Sequence, residues 1–303
     1  MSRIRNWIVA FRLRTLPLSL SCIGMGGFLA YFRGFFKLEI LVFSFLTTIA
    51  LQILSNLAND FGDSVFGADN IHREGPARMV QTGNIQDRQM KNMIIFFVIL
   101  SFVLGLLLLY FSTLNKTGFV IFLVLGVLAI IAAVNYTIGM KKPYGYKGFG
   151  DVSVFIFFGL VAVLGSYFLY SGRLDWKLIL PAMTCGFFAT AVLNINNMRD
   201  IESDSLAGKY SIPVRIGMKN ALAYHGIMLF GGFLLSVVFV FLNYKSPFQF
   251  LFLFSLPLFV KNFFGVKNSA TSKQMDPYLK QLAISTLIFV ILFGTGLIVS
   301  IKL

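Results

Sequence analysis

Apolar runs, each long enough to cross a bilayer as a helix, alternate with short polar stretches along this 303-residue chain. Nine such runs are legible, at roughly 16–36, 39–59, 92–112, 117–138, 152–170, 177–198, 220–242, 247–265 and 281–300. The pattern predicts an all-α polytopic membrane protein. No linker or low-complexity segment divides the chain, so residues 1–303 are expected to form a single intramembrane domain. Residues 1–15 differ from the rest: Arg3, Arg5 and Arg12 alternate with Trp7, Ile8 and Phe11, the mixture expected of an interfacial helix ahead of the first span. No small-residue cleavage pattern follows, which argues against a removable signal.

Polar residues then repeat in a second pattern. Spans one to four carry an Asn/Asp cluster after the second and a basic loop, Lys141 to Lys147, after the fourth. Spans five to eight carry a cluster after the sixth and basic residues from Lys261. This predicts a parallel duplication, with halves at about 16–138 and 152–265 and a ninth helix at about 281–300. Such a duplication would bring both clusters to one cavity.

Composition agrees with the spans: 57% of residues are hydrophobic and only 13% charged, proportions foreign to a soluble domain. The net charge of +14 then reads as topology. With the N-terminus in the cytoplasm, 19 Lys and Arg fall on that side and seven on the other, so the chain is expected in the cell (inner) membrane with both clusters cytoplasmic. Attraction to anionic lipid is a secondary consequence, and nothing argues for nucleic acid. Cys22 and Cys185 lie within apolar spans and read as packing residues.

The chemistry is concentrated in the acids. There are 12 Asp and Glu in all, and six of them (Asp60, Asp63, Asp69, Asp200, Glu202 and Asp204) sit in two short stretches at the ends of spans two and six. If each helix continues, Asn56, Asp60 and Asp63 share one face, and Asn196, Asp200 and Asp204 share another. Helix capping explains one such cluster well. Two matched clusters are better explained by hard cations, because gathered carboxylates repel one another unless a cation offsets them. Mg²⁺ uses one or two carboxylates, waters and substrate phosphates, so the clusters point to a diphosphate.

Flanking loops supply cations. Gly75 to Gly83 holds Arg78, whose guanidinium and nearby backbone N–H groups suit phosphate oxygens. Lys209 and Arg215 follow the second cluster and can neutralise oxygens that the metal leaves uncovered. The loop after span four joins Lys142 with Tyr144 and Tyr146, as would suit an anionic aromatic substrate. Topology by itself also accounts for such lysines. His72 and His225 lack partners at metal-ligand or triad spacing and are expected to be non-catalytic.

The pattern Asn59-Asp60-x-x-Asp63 with distal Asp69, and Asp200-x-x-x-Asp204 followed by Gly208-Lys209 and Val214-Arg215-x-Gly217, resembles the UbiA-type intramembrane prenyltransferases. Arg12-Leu13-Arg14-Thr15-Leu16-Pro17, Gly75-Pro76-Ala77-Arg78, Lys141-Lys142-Pro143-Tyr144-Gly145-Tyr146 and Asn196-Asn197-Met198-Arg199-Asp200 narrow the resemblance to the branch that prenylates 1,4-dihydroxy-2-naphthoate in menaquinone biosynthesis. The wider family places its last first-motif Asp where Gly67 stands here; this chain offers Asp69 instead.

The resemblance implies nine helices around a central cavity open to lipid, with Mg²⁺ as cofactor and a polyprenyl diphosphate as donor. Asp60, Asp63, Asp69, Asp200 and Asp204 would bind metal. Asp60, Asp63, Asp200, Asp204 and Lys209 would be catalytic, and Asn56, Asn59, Arg78, Asn196, Asn197 and Arg215, with Arg14, Lys142, Tyr144 and Tyr146, would bind substrates. Phe-rich walls would shelter an allylic cation. Other readings remain open at this point: a different acceptor such as 4-hydroxybenzoate or haem, a CDP-alcohol phosphotransferase, or, outside enzymes, a secondary transporter. Transporter acids lie near mid-membrane in broken helices, whereas these lie at helix ends.

Overall fold

A computed structural model of the chain describes residues 3–66, 79–138, 148–206 and 208–302. Among them every regular element is helical: α1 (Arg3–Phe11), α2 (Leu16–Phe32), α3 (Leu38–Phe66), α4 (Asp87–Phe111), α5 (Lys116–Ile138), α6 (Gly150–Val154), α7 (Gly165–Ser171), α8 (Ile179–Arg199), α9 (Ile201–Leu206), α10 (Ile212–Leu242), α11 (Leu256–Lys267) and α12 (Ser272–Lys302). A π-helical stretch, Phe155–Leu164, joins α6 to α7, and a 3₁₀ run, Pro247–Ser255, leads into α11. Nine spans among the described residues are long and apolar enough to cross a membrane, from Ile4–Phe32 to Ser272–Lys302. The expected all-α, nine-span membrane protein is therefore present.

Several boundaries moved. The first span begins at Ile4, because α1 and a 3₁₀ turn, Leu13–Thr15, run almost directly into α2. Arg12 makes the turn with a left-handed φ of 50°. Pro213 stands in the first turn of α10, where its missing N–H costs nothing, so that helix starts eight residues before the expected 220. Gly217, at φ 77°, then kinks it.

The chain divides into two compact units, Met1–Leu16 with Leu38–Pro143, and Pro17–Lys37 with Tyr144–Leu303. In the first, α3 packs on α4 and α5. Leu54, Leu57 and Phe61 of α3 meet Met90, Ile94 and Phe97 of α4 in its core. The opposite face of α4 exposes Ile95, Phe96, Ile99 and Phe102, an apolar surface suited to contact with lipid.

In the second unit, α8 is the central element, flanked by α10, the π-helical stretch and α12. Gly159 and Gly186 permit the second of these contacts: a Cβ on Gly159 would come within 2.7 Å of the Gly186 Cα. Phe188, Phe233, Phe252, Phe259, Phe289 and Phe293 pack ring against ring, with Phe188 and Phe259 centroids 4.6 Å apart. These six rings therefore build core, which is where part of the high Phe content goes. Within the same unit, His225 on α10 pairs through Nε2 with Asn262 Oδ1 at 3.0 Å, and Asn262 donates to Gln281 and to the Tyr278 carbonyl. His225 thus braces α10 against α11 through Asn262. Cys22 and Cys185 are both free and buried.

Candidate active site

The first acidic cluster lies near the end of α3. The helix runs unbroken through Phe66, so Asn56, Asp60 and Asp63 share one helix as expected. Asp60 is 1% exposed, and its carboxylate accepts from the Met79 N–H at 3.0 Å and the Val80 N–H at 3.1 Å. It therefore ties Met79 and Val80 to α3. Asn56 donates to the Phe11 carbonyl at 2.9 Å, tying α3 to the N-terminal segment that carries Arg14. Arg14 itself lies exposed in the 3₁₀ turn. Asn59 is half-buried on α3. The Asp63 side chain and the residues Asp69, Arg78, Lys142, Tyr144 and Tyr146 lie outside the described residues.

The second cluster is differently built. The helix does not continue through it: α8 stops at Arg199, Asp200 occupies its C-cap at φ −97°, ψ 15°, and α9 starts afresh at Ile201. Asn196, Asp200 and Asp204 therefore do not share one uninterrupted helix face. The break is held by local bonds, the Asp204 N–H donating to the Asp200 carbonyl at 2.7 Å and the Lys209 N–H to the Asp204 carbonyl at 2.8 Å.

Side chains fill the site with paired charges. Lys209 Nζ donates to Asp204 Oδ2 at 2.8 Å and to Asn197 Oδ1 at 3.5 Å. Burial pushes the Asp204 carboxyl above its ordinary value, and the Lys209 ammonium works against that rise. Arg199 grips Asp200 by both oxygens, Nε to Oδ1 and Nη2 to Oδ2, each at 2.7 Å. Asn196 joins from both sides, receiving Arg199 Nη2 at 2.9 Å and donating to Asp200 Oδ2 at 3.4 Å. Arg215, exposed on α10, donates from Nε to the Tyr210 carbonyl at 3.1 Å. Gly148, at φ 82°, comes so close that a Cβ would stand 2.5 Å from the Tyr210 oxygen and 2.8 Å from Arg215 Nη2. Gly148 thus lies against the segment that carries Lys209 and Arg215.

The sequence reading missed the part played by Arg199. Its signal was available: a cation beside scarce acids at the end of an apolar span needs counter-charge once buried, and Arg199 is only 5% exposed.

The donors at this second cluster are oxygens of carboxylates and amides, the set that Mg²⁺ prefers. Among the described residues no group of three or more His, Cys, Asp or Glu could hold a metal alone. Mg²⁺ does not require one, since waters and substrate phosphates complete its octahedron.

The pattern of the UbiA prenyltransferase family matches residues 19–285, most of the chain. The chain belongs to that family. Among curated UbiA-related proteins, it is 42% identical to the 1,4-dihydroxy-2-naphthoate octaprenyltransferase of Escherichia coli (strain K12), covering 99% of this chain and 97% of the relative. It is 31% identical to the protein of the same name from Mycobacterium leprae (strain TN), over 96% and 95% of the two chains. The fold agrees with solved UbiA homologues. One from Aeropyrum pernix K1, in its apo form, aligns at a TM-score of 0.67 and 18% identity over 96% of this chain and 99% of that one. Another, from Archaeoglobus fulgidus, was solved with DMAPP and Mg²⁺ and aligns at 0.56 and 18% over 95% and 98%.

Proposed function

We propose that this UbiA-family enzyme transfers a polyprenyl group from an allylic polyprenyl diphosphate to 1,4-dihydroxy-2-naphthoate, releasing CO₂ and diphosphate to give demethylmenaquinol. The observation that carries the reading is identity of 42% along almost the whole length of a naphthoate prenyltransferase. Such a level leaves little room for a different acceptor pocket.

In this reading Asp60, Asp63, Asp69, Asp200 and Asp204 are the metal-binding carboxylates. Mg²⁺, when bound, would draw off the charge that develops on the departing diphosphate. Lys209 stands beside Asp204 and can give its remaining N–H donors to diphosphate oxygens, keeping that charge-balancing role after metal loading. Asn197, already at the same ammonium, orients it. Arg14, Arg78 and Arg215 add positive charge for the phosphates and the acceptor carboxylate, and Lys142, Tyr144 and Tyr146 bind the acceptor. Partners are then the two substrates and the bilayer that delivers the prenyl tail. The enzyme lies in the inner membrane, with its N-terminus and active-site loops cytoplasmic.

Membranes containing the protein, incubated with dihydroxynaphthoate, a polyprenyl diphosphate and Mg²⁺, should yield the prenylated quinol by mass spectrometry. EDTA should stop the reaction. Product formation from 4-hydroxybenzoate or haem, with none from dihydroxynaphthoate, would overturn the assignment.

A further inference from the structure

The Arg199 guanidinium has a third partner, far away in sequence. Its Nη1 donates to Asp276 Oδ1 at 2.6 Å, across 77 residues, in the first turns of α12. The packing of α12 on α8 brings the two together. Arg199 thus lies between two carboxylates, its side chain 4% exposed against 15% for Asp200 and 40% for Asp276.

We propose that Asp276 is a positioning residue for cation binding at Asp200: acting through Arg199, it fixes the direction of that carboxylate and preserves its negative charge. The inference rests on the reading of Asp200 as a metal-binding carboxylate.

Two physical arguments agree in sign. An isolated Arg199–Asp200 pair would be electrically neutral, so an approaching cation would meet a carboxylate whose charge was already matched. With Asp276 on the opposite edge, Arg199 is shared between two carboxylates, so its charge is not matched to Asp200 alone. The second argument is geometric. A bidentate fork fixes the carboxylate plane only if the guanidinium is itself held, and Arg199 is held by Asp276 on Nη1 and by Asn196 on Nη2. Groups that orient a metal-binding side chain from behind typically change metal affinity by about 10-fold or more. Asp276 is the sole acid after Asp204 in the sequence.

The test separates charge from hydrogen bonding. Asp276→Asn keeps an acceptor oxygen for Nη1 but removes the charge, Asp276→Ala removes both, and Asp276→Glu restores the charge. The full chain is purified in detergent, and Mn²⁺ binding in the presence of inorganic diphosphate is measured from the electron paramagnetic resonance signal of free Mn²⁺. Thermal midpoints without metal are recorded alongside. The expected result is a Mn²⁺ Kd weakened by about 10-fold in Asp276→Asn, at least as much in Asp276→Ala, and largely restored in Asp276→Glu. The Mg²⁺ concentration for half-maximal activity should rise by a similar factor while kcat at saturating Mg²⁺ changes little. If Asp200→Asn weakens Mn²⁺ binding but the Asn and Ala variants of Asp276 bind like the wild type, with or without a lower thermal midpoint, the positioning role is overturned. If Asp200→Asn itself binds Mn²⁺ like the wild type, the metal role of Asp200 falls and the inference falls with it.

Discussion

Lys209 reaches back five residues to Asp204, Nζ to Oδ2 at 2.8 Å, while its own backbone N–H holds the Asp204 carbonyl at 2.8 Å. The same lysine therefore shapes the turn and balances the charge inside it. Lys209→Met should keep the backbone bond, leave Asp204 without its ammonium, and raise the KM for prenyl diphosphate more than that for the acceptor. A loss in kcat/KM on the order of 30-fold, about 2 kcal/mol, is expected for a partly exposed charge pair. Steady-state kinetics with each substrate varied separately checks it, and equal effects on both would remove Lys209 from diphosphate recognition.

Asp60 and Asp200 should each be indispensable for different local reasons. Asp200→Asn deletes a charge gripped by Arg199, and Asp60→Asn also turns an NH₂ towards one of the two backbone N–H groups that its carboxylate accepts. Both variants should lose most activity. Asp60→Asn should in addition lose about 1–3 kcal/mol of stability for the unsatisfied amide. Activity with and without EDTA, together with thermal unfolding, separates the two effects; full turnover in EDTA would rule out a metal role.

Acceptor recognition is expected from Arg14 and Lys142, because a naphthoate carboxylate leaving water needs a charged partner. Arg14→Met or Lys142→Met should raise the acceptor KM selectively, with a loss on the order of 2–4 kcal/mol. Kinetics in which both KM values move together would assign these cations to topology.

Topology calls for labelling sites chosen by exposure. Ser211 is only 3% exposed and would report poorly, whereas Thr82 and Ser205 are exposed. In a variant free of Cys22 and Cys185, cysteines at Thr82 and Ser205 should resist an impermeant thiol reagent in intact cells, and one at Asn115 should react. The reverse pattern would invert the proposed orientation.

The spans were legible because twenty consecutive apolar residues have few other uses, and the carboxylates because acids are so scarce in this chain. The helix break at Asp200 was not legible. Spacing by fours assumes a continuous helix, whereas α8 ends with Asp200 at its C-cap, beside an Arg199 whose tertiary burial turns it onto the Asp200 carboxylate. Asp276 was invisible for the same reason: nothing within a window of neighbouring residues links it to Arg199. The early start of α10 could have been read, since Pro213 is well placed in a first turn, but the polar residues around Lys219 suggested a loop.

The chain of polar contacts from His225 through Asn262 to Gln281 has a consequence for how the protein is made. His225 enters the membrane with α10, well before the ribosome has produced α12. Until then Asn262 lacks both the Gln281 side chain and the Tyr278 carbonyl. The last helix therefore completes the polar contacts that link the preceding two. A chain cut short before Tyr278 should stay bound to insertion factors or be degraded, even though the carboxylates of both acidic clusters would already have been synthesised.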